Sequence, residues 1–223
     1  MDHRTELTER DLMPQLRRVS LMFVIAGVVF LALILNPVIF GYFDASKPYD
    51  EGLAFVRDNL TALRWLFTAI GLIDLLLGAS LWLWGTQVAK TMSAGQAKAA
   101  TMAAWAGLWG GVAALAGRLR TAWFQSVDDL VSTGSASFDV MGIVFLTGML
   151  AWTIAFVIFG ILIIRGPMPT WLGIVLIVCA FLPAAGAVPA WYYIGATVLG
   201  VTGLLRFRET RSTAAGRQPT TTS

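Results

Sequence analysis

Apolar residues do not alternate with polar ones along most of this chain but run together in long stretches. Six of these stretches are long enough, or nearly so, to cross a hydrocarbon core of about 30 Å as helices. They cover roughly residues 19–40, 61–85, 97–124, 138–164, 170–187 and 190–207. The pattern predicts an all-α fold: a polytopic transmembrane helical bundle with six spans in one domain, residues 19–207.

The fifth and sixth stretches are separated only by a short segment with Pro183 and Pro189 near its ends. Proline cannot continue a helix from the inside, so the segment is predicted to be a turn. The two stretches can also be interpreted as one hairpin with an imperfect first arm. Five spans is therefore the alternative count.

Three segments outside the spans have a distinct character. Residues 1–18 are charged and amphipathic, and Thr8 with Asp11 three residues later is typical of the start of a short interfacial helix. No small-residue cleavage site follows the first apolar core, so we expect a retained signal anchor. Residues 48–59 are predicted to form a short surface helix. The tail, 208–223, is polar and predicted to be disordered.

Composition supports the membrane assignment and restricts the chemistry. The chain is 57% hydrophobic and 13% charged, whereas a soluble domain carries about 25% charged residues. Cys179 is the single cysteine and His3 the single histidine. Disulfides are excluded within one chain, and zinc, iron–sulfur and bis-histidine haem sites lack ligands in the spans. The three lysines lie in or beside predicted loops, which disfavours a retinal Schiff base. No cofactor is predicted.

The distribution of Lys and Arg predicts the orientation. Eleven fall on the side of the two termini and five on the other side. Because cytoplasmic loops are enriched in these residues, both termini are predicted to be cytoplasmic. Arg outnumbers Lys thirteen to three, which indicates a bacterial source and hence a bacterial inner membrane. The aromatic residues expected at the interfaces are Tyr42, Trp65, Trp123 and Trp191–Tyr193 outside, with Trp82, Trp84 and Trp171 inside.

Asp74 is the only charged residue between Leu66 and Trp84. A carboxylate near the centre of a span costs roughly 2.5–3.5 kcal/mol on insertion scales. On a helical wheel it shares its face with Gly71, Gly78 and Gly85. Glycines at this spacing allow another helix to approach closely, so Asp74 is predicted to face the bundle.

The third span provides the most plausible partner. Arg118 falls on one face with Gly107 and Gly111, which form a GxxxG pattern, while Arg120 faces away. Counting about 1.5 Å per residue from the outer ends of the two helices predicts a depth difference of about 10 Å between Asp74 and Arg118. Contact is possible but stretched, and Arg64 or a bridging water is an alternative. The pair is either structural or part of a proton, ion or ligand site.

Two further polar residues complete the candidate intramembrane site. Asn36 precedes Pro37 near the outer end of the first span, and Gln125 follows the third. A helix broken at Asn36–Pro37 leaves backbone carbonyls that need partners, so these residues can line an outward cavity with Asp139. The alternative, which we favour, is that Asn36 only marks a helix terminus.

Three segments of the chain carry a resemblance to a known family. They are RWLFTAIGLIDLLLGASLWLW (64–84), AGLWGGVAALAGRLR (106–120) and GILIIRGPMPTWLGIVLIV (160–178). Together they resemble uncharacterised bacterial six-span membrane proteins grouped as domain of unknown function 4386. The resemblance implies the architecture over residues 19–207 and no catalytic residues.

The sequence leaves three functions open. The first is a non-enzymatic accessory or interaction protein. It would act as a homo-oligomer or as a subunit beside another membrane protein. The second is a small permease or proton- or ion-coupled carrier that uses Asp74 and Arg118. The third, an intramembrane enzyme, is weakest because the spans hold neither a histidine nor a thiol pair. The lipid bilayer is the expected partner, and nucleic acid is not.

Overall fold

A computed structural model of the chain describes residues 3–44, 46–131, 140–166, 168–182 and 190–215, with side chains described from residue 14 to residue 206 except at 131. All regular elements in these ranges are helices, which confirms the all-α class. They are α1 (His3–Ile34), α2 (Pro37–Tyr42), α3 (Tyr49–Ala89), α4 (Ala94–Trp123), α5 (Val127–Val131), α6 (Val140–Ile164), α7 (Thr170–Phe181) and α8 (Ala190–Ala215).

Four helices are long and apolar enough to cross a membrane. They are the Pro14–Ile34 part of α1, and α3, α4 and α6 in full. Helix α7 has 12 residues, and at 1.5 Å per residue it measures about 18 Å, less than the hydrocarbon core. Six spans therefore remains a prediction. The predicted turn at Pro183 and Pro189 lies outside the described residues.

Three boundaries differ from the sequence-based expectation. Helix α1 begins at His3 and continues to Ile34 with Pro14 inside it, so residues 3–18 do not form a separate interfacial helix. Helix α3 begins at Tyr49 and runs unbroken for 41 residues. The predicted surface helix at 48–59 is the first part of α3, because no proline interrupts the chain between Tyr49 and Ala89. Helix α8 continues to Ala215, into the segment predicted to be a disordered tail.

The core is built around the pair α3 and α4. Helix α6 packs on α4, α1 packs on α8 and α3, and α7 lies against α6 and α8. The approach of α3 to α4 depends on glycine, because a Cβ at Gly78 would lie 2.8 Å from both the Gly107 oxygen and the Gly111 Cα. No larger residue fits there without separating the helices.

Several predicted interfacial aromatics are buried. Trp84 is 6% exposed and meets the Phe159 ring edge-on at a centroid distance of 5.0 Å. Tyr192 and Tyr193 are 1% and 2% exposed. Their positions near the ends of apolar stretches predict interfacial anchors, but the helices bring all three against neighbouring side chains. Trp65 and Trp123 are exposed, as expected of anchors.

Candidate functional site: a buried carboxylate shared by three helices

Asp74 of α3 is the centre of the polar cluster in the bundle. It is 1% exposed, and the other buried polar residues in the described part of the chain are Ser20 and Ser80. One carboxylate oxygen, Oδ2, lies 3.4 Å from Nε of Arg118 on α4. The other, Oδ1, accepts a short hydrogen bond from the hydroxyl of Tyr193 on α8. Both carboxylate oxygens thus have a protein donor.

Arg118 reaches Asp74 directly, at a smaller depth difference than predicted. A Cβ built on Gly71 would lie 3.0 Å from the Arg118 Cβ, so Arg118 is level with Gly71. Gly71 precedes Asp74 by three residues, or about 4.5 Å along α3. The expected 10 Å is too large because it takes Thr61 and the end of α4 as level. The indole N–H of Trp123, the last residue of α4, donates to the Thr68 hydroxyl at 3.0 Å, so α4 ends beside a later part of α3.

Tyr193 was missed as a member of this site. Its ring stacks on Phe30 of α1 at a centroid distance of 3.7 Å and an interplanar angle of 7°. One signal could have found it: of the four tyrosines, only Tyr192 and Tyr193 fall inside a predicted span. A buried phenol needs a hydrogen-bond partner, and Asp74 is the obvious acceptor in these spans.

A second set of hydrogen bonds lies beside the ion pair. Trp152 of α6 is fully buried, and its indole N–H donates to the Gly107 oxygen at 3.0 Å. A Cβ at Gly110 would lie 2.2 Å from the Trp152 ring. The Tyr192 hydroxyl pairs with the Thr153 hydroxyl at 2.8 Å. Trp152 therefore fills the space that the α4 glycines leave.

Glycine also allows close packing near the C-terminal end of α3. A Cβ at Gly85 would lie 2.7 Å from the Phe159 ring and 2.8 Å from the Ala104 Cβ. The five predicted glycines are all buried at contacts between α3, α4 and α6. They position the site without taking part in its chemistry.

The remaining candidate residues lie apart from Asp74. The Arg64 guanidinium carbon lies 5.5 Å from the Trp123 ring centroid, and Arg64 Nε has no hydrogen-bond partner among the described residues. The Asn36 side chain accepts from the Val38 N–H at 2.9 Å and caps α2. Asn36 is thus a helix terminus. Gln125 follows α4, and its backbone N–H donates to the Arg120 oxygen. Asp139 lies outside the described residues.

A separate polar region lies at the end of the bundle where α3 begins. The Tyr42 hydroxyl donates to the Leu130 oxygen at 3.0 Å, and burial raises the pKa of Tyr42 to about 12 against the lowering effect of Arg118. Lys47 Nζ donates to the Gly41 oxygen at 2.8 Å and lies 4.0 Å from the Phe55 ring centroid. These residues line a cavity of about 490 Å³ whose lining does not include Asp74.

The fold and this cluster define an integral membrane helical bundle with a buried Asp–Arg ion pair. Within the described ranges, no group of three His, Cys, Asp or Glu side chains is placed to hold a metal ion. No protein-family model, curated protein or solved structure matches the chain. The interpretation of the cluster therefore depends on its geometry.

Proposed function

We propose that this chain is a non-enzymatic, multi-pass protein of a bacterial inner membrane, of accessory or interaction type, in which the Asp74 cluster stabilises helix packing. The observation that carries the proposal is that both Asp74 oxygens are occupied, by Arg118 and by Tyr193. A carboxylate that must bind a substrate or exchange an ion needs an oxygen open to a cavity. Neither of the two described cavities is lined by any of these three residues.

An exposed aromatic surface on α4 supports the interaction role. Trp105 and Trp109 are 57% and 47% exposed, and Met102 is 68% exposed. Trp and Met are enriched at protein interfaces relative to other surfaces. The surface suits packing against a second copy of this chain or another membrane protein, with lipid covering the rest of the bundle.

The alternative is a small permease or proton- or ion-coupled carrier. The favouring observation is that one ionisable group joins α3, α4 and α8, while the Arg118 side chain is 15% exposed. Protonation of Asp74 would remove the counter-charge of Arg118 and weaken the hydrogen bond from Tyr193, and so alter the packing of three helices together. A carrier needs such a linked rearrangement.

Two variants separate these accounts. Asp74→Asn keeps the side-chain volume and one acceptor oxygen, whereas Asp74→Leu removes all hydrogen bonding. The structural role predicts that Leu lowers the stability in detergent strongly, that Asn lowers it less, and that neither changes proton flux into vesicles. If Leu is as stable as the wild type and Asn abolishes flux, the structural role is wrong.

The proposed orientation has its own test. With Cys179 replaced by Ala, an Asp50→Cys variant should react with a membrane-impermeant maleimide from the periplasmic side only. The matched variant Lys90→Cys, at the other end of α3, should react only after the membrane is opened. Reaction of residue 50 only from the cytoplasm would invert the topology.

A further inference from the structure

A cavity of about 600 Å³ lies at the end of the bundle where α3 passes into α4. Its lining comes from α1, α3, α4, α6 and α8 and the residues that follow α3 and α6. Large apolar side chains form much of the wall, among them Trp84, Val88, Leu162 and Leu199. This is the proposed cytoplasmic end, to which the sequence-based prediction assigns eleven of the sixteen Lys and Arg residues.

Two cations stand in the lining of this apolar space. Arg165 follows the last residue of α6, and Arg206 lies on α8. Both are exposed, and the described lining contains no Asp or Glu. The Arg165 guanidinium makes no hydrogen bond or ion pair with any side chain in the described ranges. The cavity therefore combines an apolar interior with a positive charge at Arg165 that no side chain in the described ranges neutralises.

The cavity at the other end has a different character. It is lined by both Asp44 and Lys47, so its charges are of both signs. The Lys47 ammonium is already engaged with the Gly41 oxygen. The cavity of about 600 Å³ thus differs from this one in that its charged lining residues, Arg165 and Arg206, are all positive.

We propose that the cavity between α1, α3, α6 and α8 binds one anionic phospholipid. An acyl chain would lie along Trp84, Val88, Leu162 and Leu199, and the phosphate would accept hydrogen bonds from Arg165 and Arg206. Arginine matches phosphate oxygens with a planar array of donors, and basic pockets between transmembrane helices on the cytoplasmic side suit anionic headgroups. Free phosphate fits less well, because it would leave the apolar wall in water.

The test uses the full chain purified in a zwitterionic detergent. Native mass spectrometry would measure retention of phosphatidylglycerol and of phosphatidylcholine with the same acyl chains, with inorganic phosphate as a competitor. We expect a preference of about tenfold for phosphatidylglycerol, as charge-assisted contacts to a phosphate that is not shielded by choline imply. Arg165→Gln with Arg206→Gln should abolish the preference. Arg17→Gln with Arg18→Gln removes the same charge at the same end but outside the cavity lining, and should retain it.

A third variant tests the apolar wall. Val88→Trp narrows the cavity while keeping both arginines, so it should reduce retention of phosphatidylglycerol. An unchanged circular dichroism spectrum would show that the variant is still folded. Equal loss in the two arginine double variants would mean that net charge alone attracts the lipid, and the proposal would fail. It would also fail if inorganic phosphate displaced the lipid at similar concentration, or if the two lipids were retained equally.

Discussion

Tyr193 donates its hydroxyl hydrogen to Asp74 across 119 residues of sequence, and this bond joins α8 to α3. With Arg118 on the second oxygen, the carboxylate is the point where α3, α4 and α8 meet in one polar contact. The three side chains can be replaced singly or in pairs to test what each contact contributes.

Removing both charges should harm the protein less than removing one. Asp74→Leu leaves Arg118 without its counter-charge, at 15% side-chain exposure. Loss of one member of a buried pair costs about 3–5 kcal/mol, whereas replacing both members by apolar residues is often neutral. Asp74→Leu alone should lower the midpoint of detergent-induced unfolding. We expect the double variant, Asp74→Leu with Arg118→Leu, to have a midpoint close to that of the wild type. A double variant as unstable as the sum of the two single variants would mean that the two side chains do not depend on each other.

Tyr193→Phe should separate the hydrogen bond from the ring packing. The phenyl ring can still stack on Phe30, while the bond to Asp74 is lost. Because the acceptor is a carboxylate, we expect a loss of about 1–2 kcal/mol in the free energy of unfolding. Tyr49→Phe is the control, since Tyr49 is 55% exposed, and should change stability little. If the two variants changed the free energy of unfolding equally, the hydrogen bond from Tyr193 to Asp74 would not contribute to stability.

Gly78→Ala should destabilise the contact between α3 and α4. The new Cβ would lie 2.8 Å from backbone atoms of Gly107 and Gly111, which cannot yield without moving a helix. Overpacking of this kind typically costs about 1–3 kcal/mol. Gly95→Ala is the matched control: nothing lies within 4 Å of its added Cβ, so higher helix propensity should leave stability equal or greater. If Gly78→Ala were also neutral, the close approach of these helices would not be needed.

Ser126→Ala should raise the pKa of Asp129 at the start of α5. The Ser126 hydroxyl donates to Asp129 Oδ2 at 2.7 Å and its N–H at 3.2 Å, and these bonds hold the pKa of Asp129 below its ordinary value. A lowered pKa stabilises the folded state above the ordinary Asp pKa of about 3.9, and that contribution is lost as pH falls through the folded value. Carboxyl carbon NMR against pH would measure the shift. Ser93→Ala, at the other end of the bundle, should leave Asp129 unchanged.

Much of the fold follows from hydropathy and helical periodicity. The apolar runs predicted helices close to α4 and α6, and the wheel predicted that Asp74 shares a face with Gly71 and Gly78. These features are local, because they depend on residues within a few turns of one helix. The length of α3 was harder to predict, since residues 49–60 are polar enough to be interpreted as a separate surface segment.

The partners of Asp74 required information that one helix does not carry. Arg118 could be proposed because α3 and α4 are joined by a short loop and are therefore neighbours. Tyr193 lies on α8, far along the chain from α3. Nothing in the sequence of either helix shows that the fold brings this hydroxyl to Asp74. Its position near the end of an apolar stretch suggested an interfacial anchor, and only burial against Phe30 shows otherwise.

The ion pair has an electrical consequence. Asp74⁻ and Arg118⁺ together carry no net charge, so a transmembrane voltage does almost no work on the pair as a unit. Protonation of Asp74 would leave one positive charge at Arg118, on which the field acts with up to about 2.3 kcal/mol per 100 mV for a charge that crosses the whole membrane. A transmembrane voltage would then change the energy of the form in which Asp74 is protonated, and would leave the energy of the ion-paired form almost unchanged.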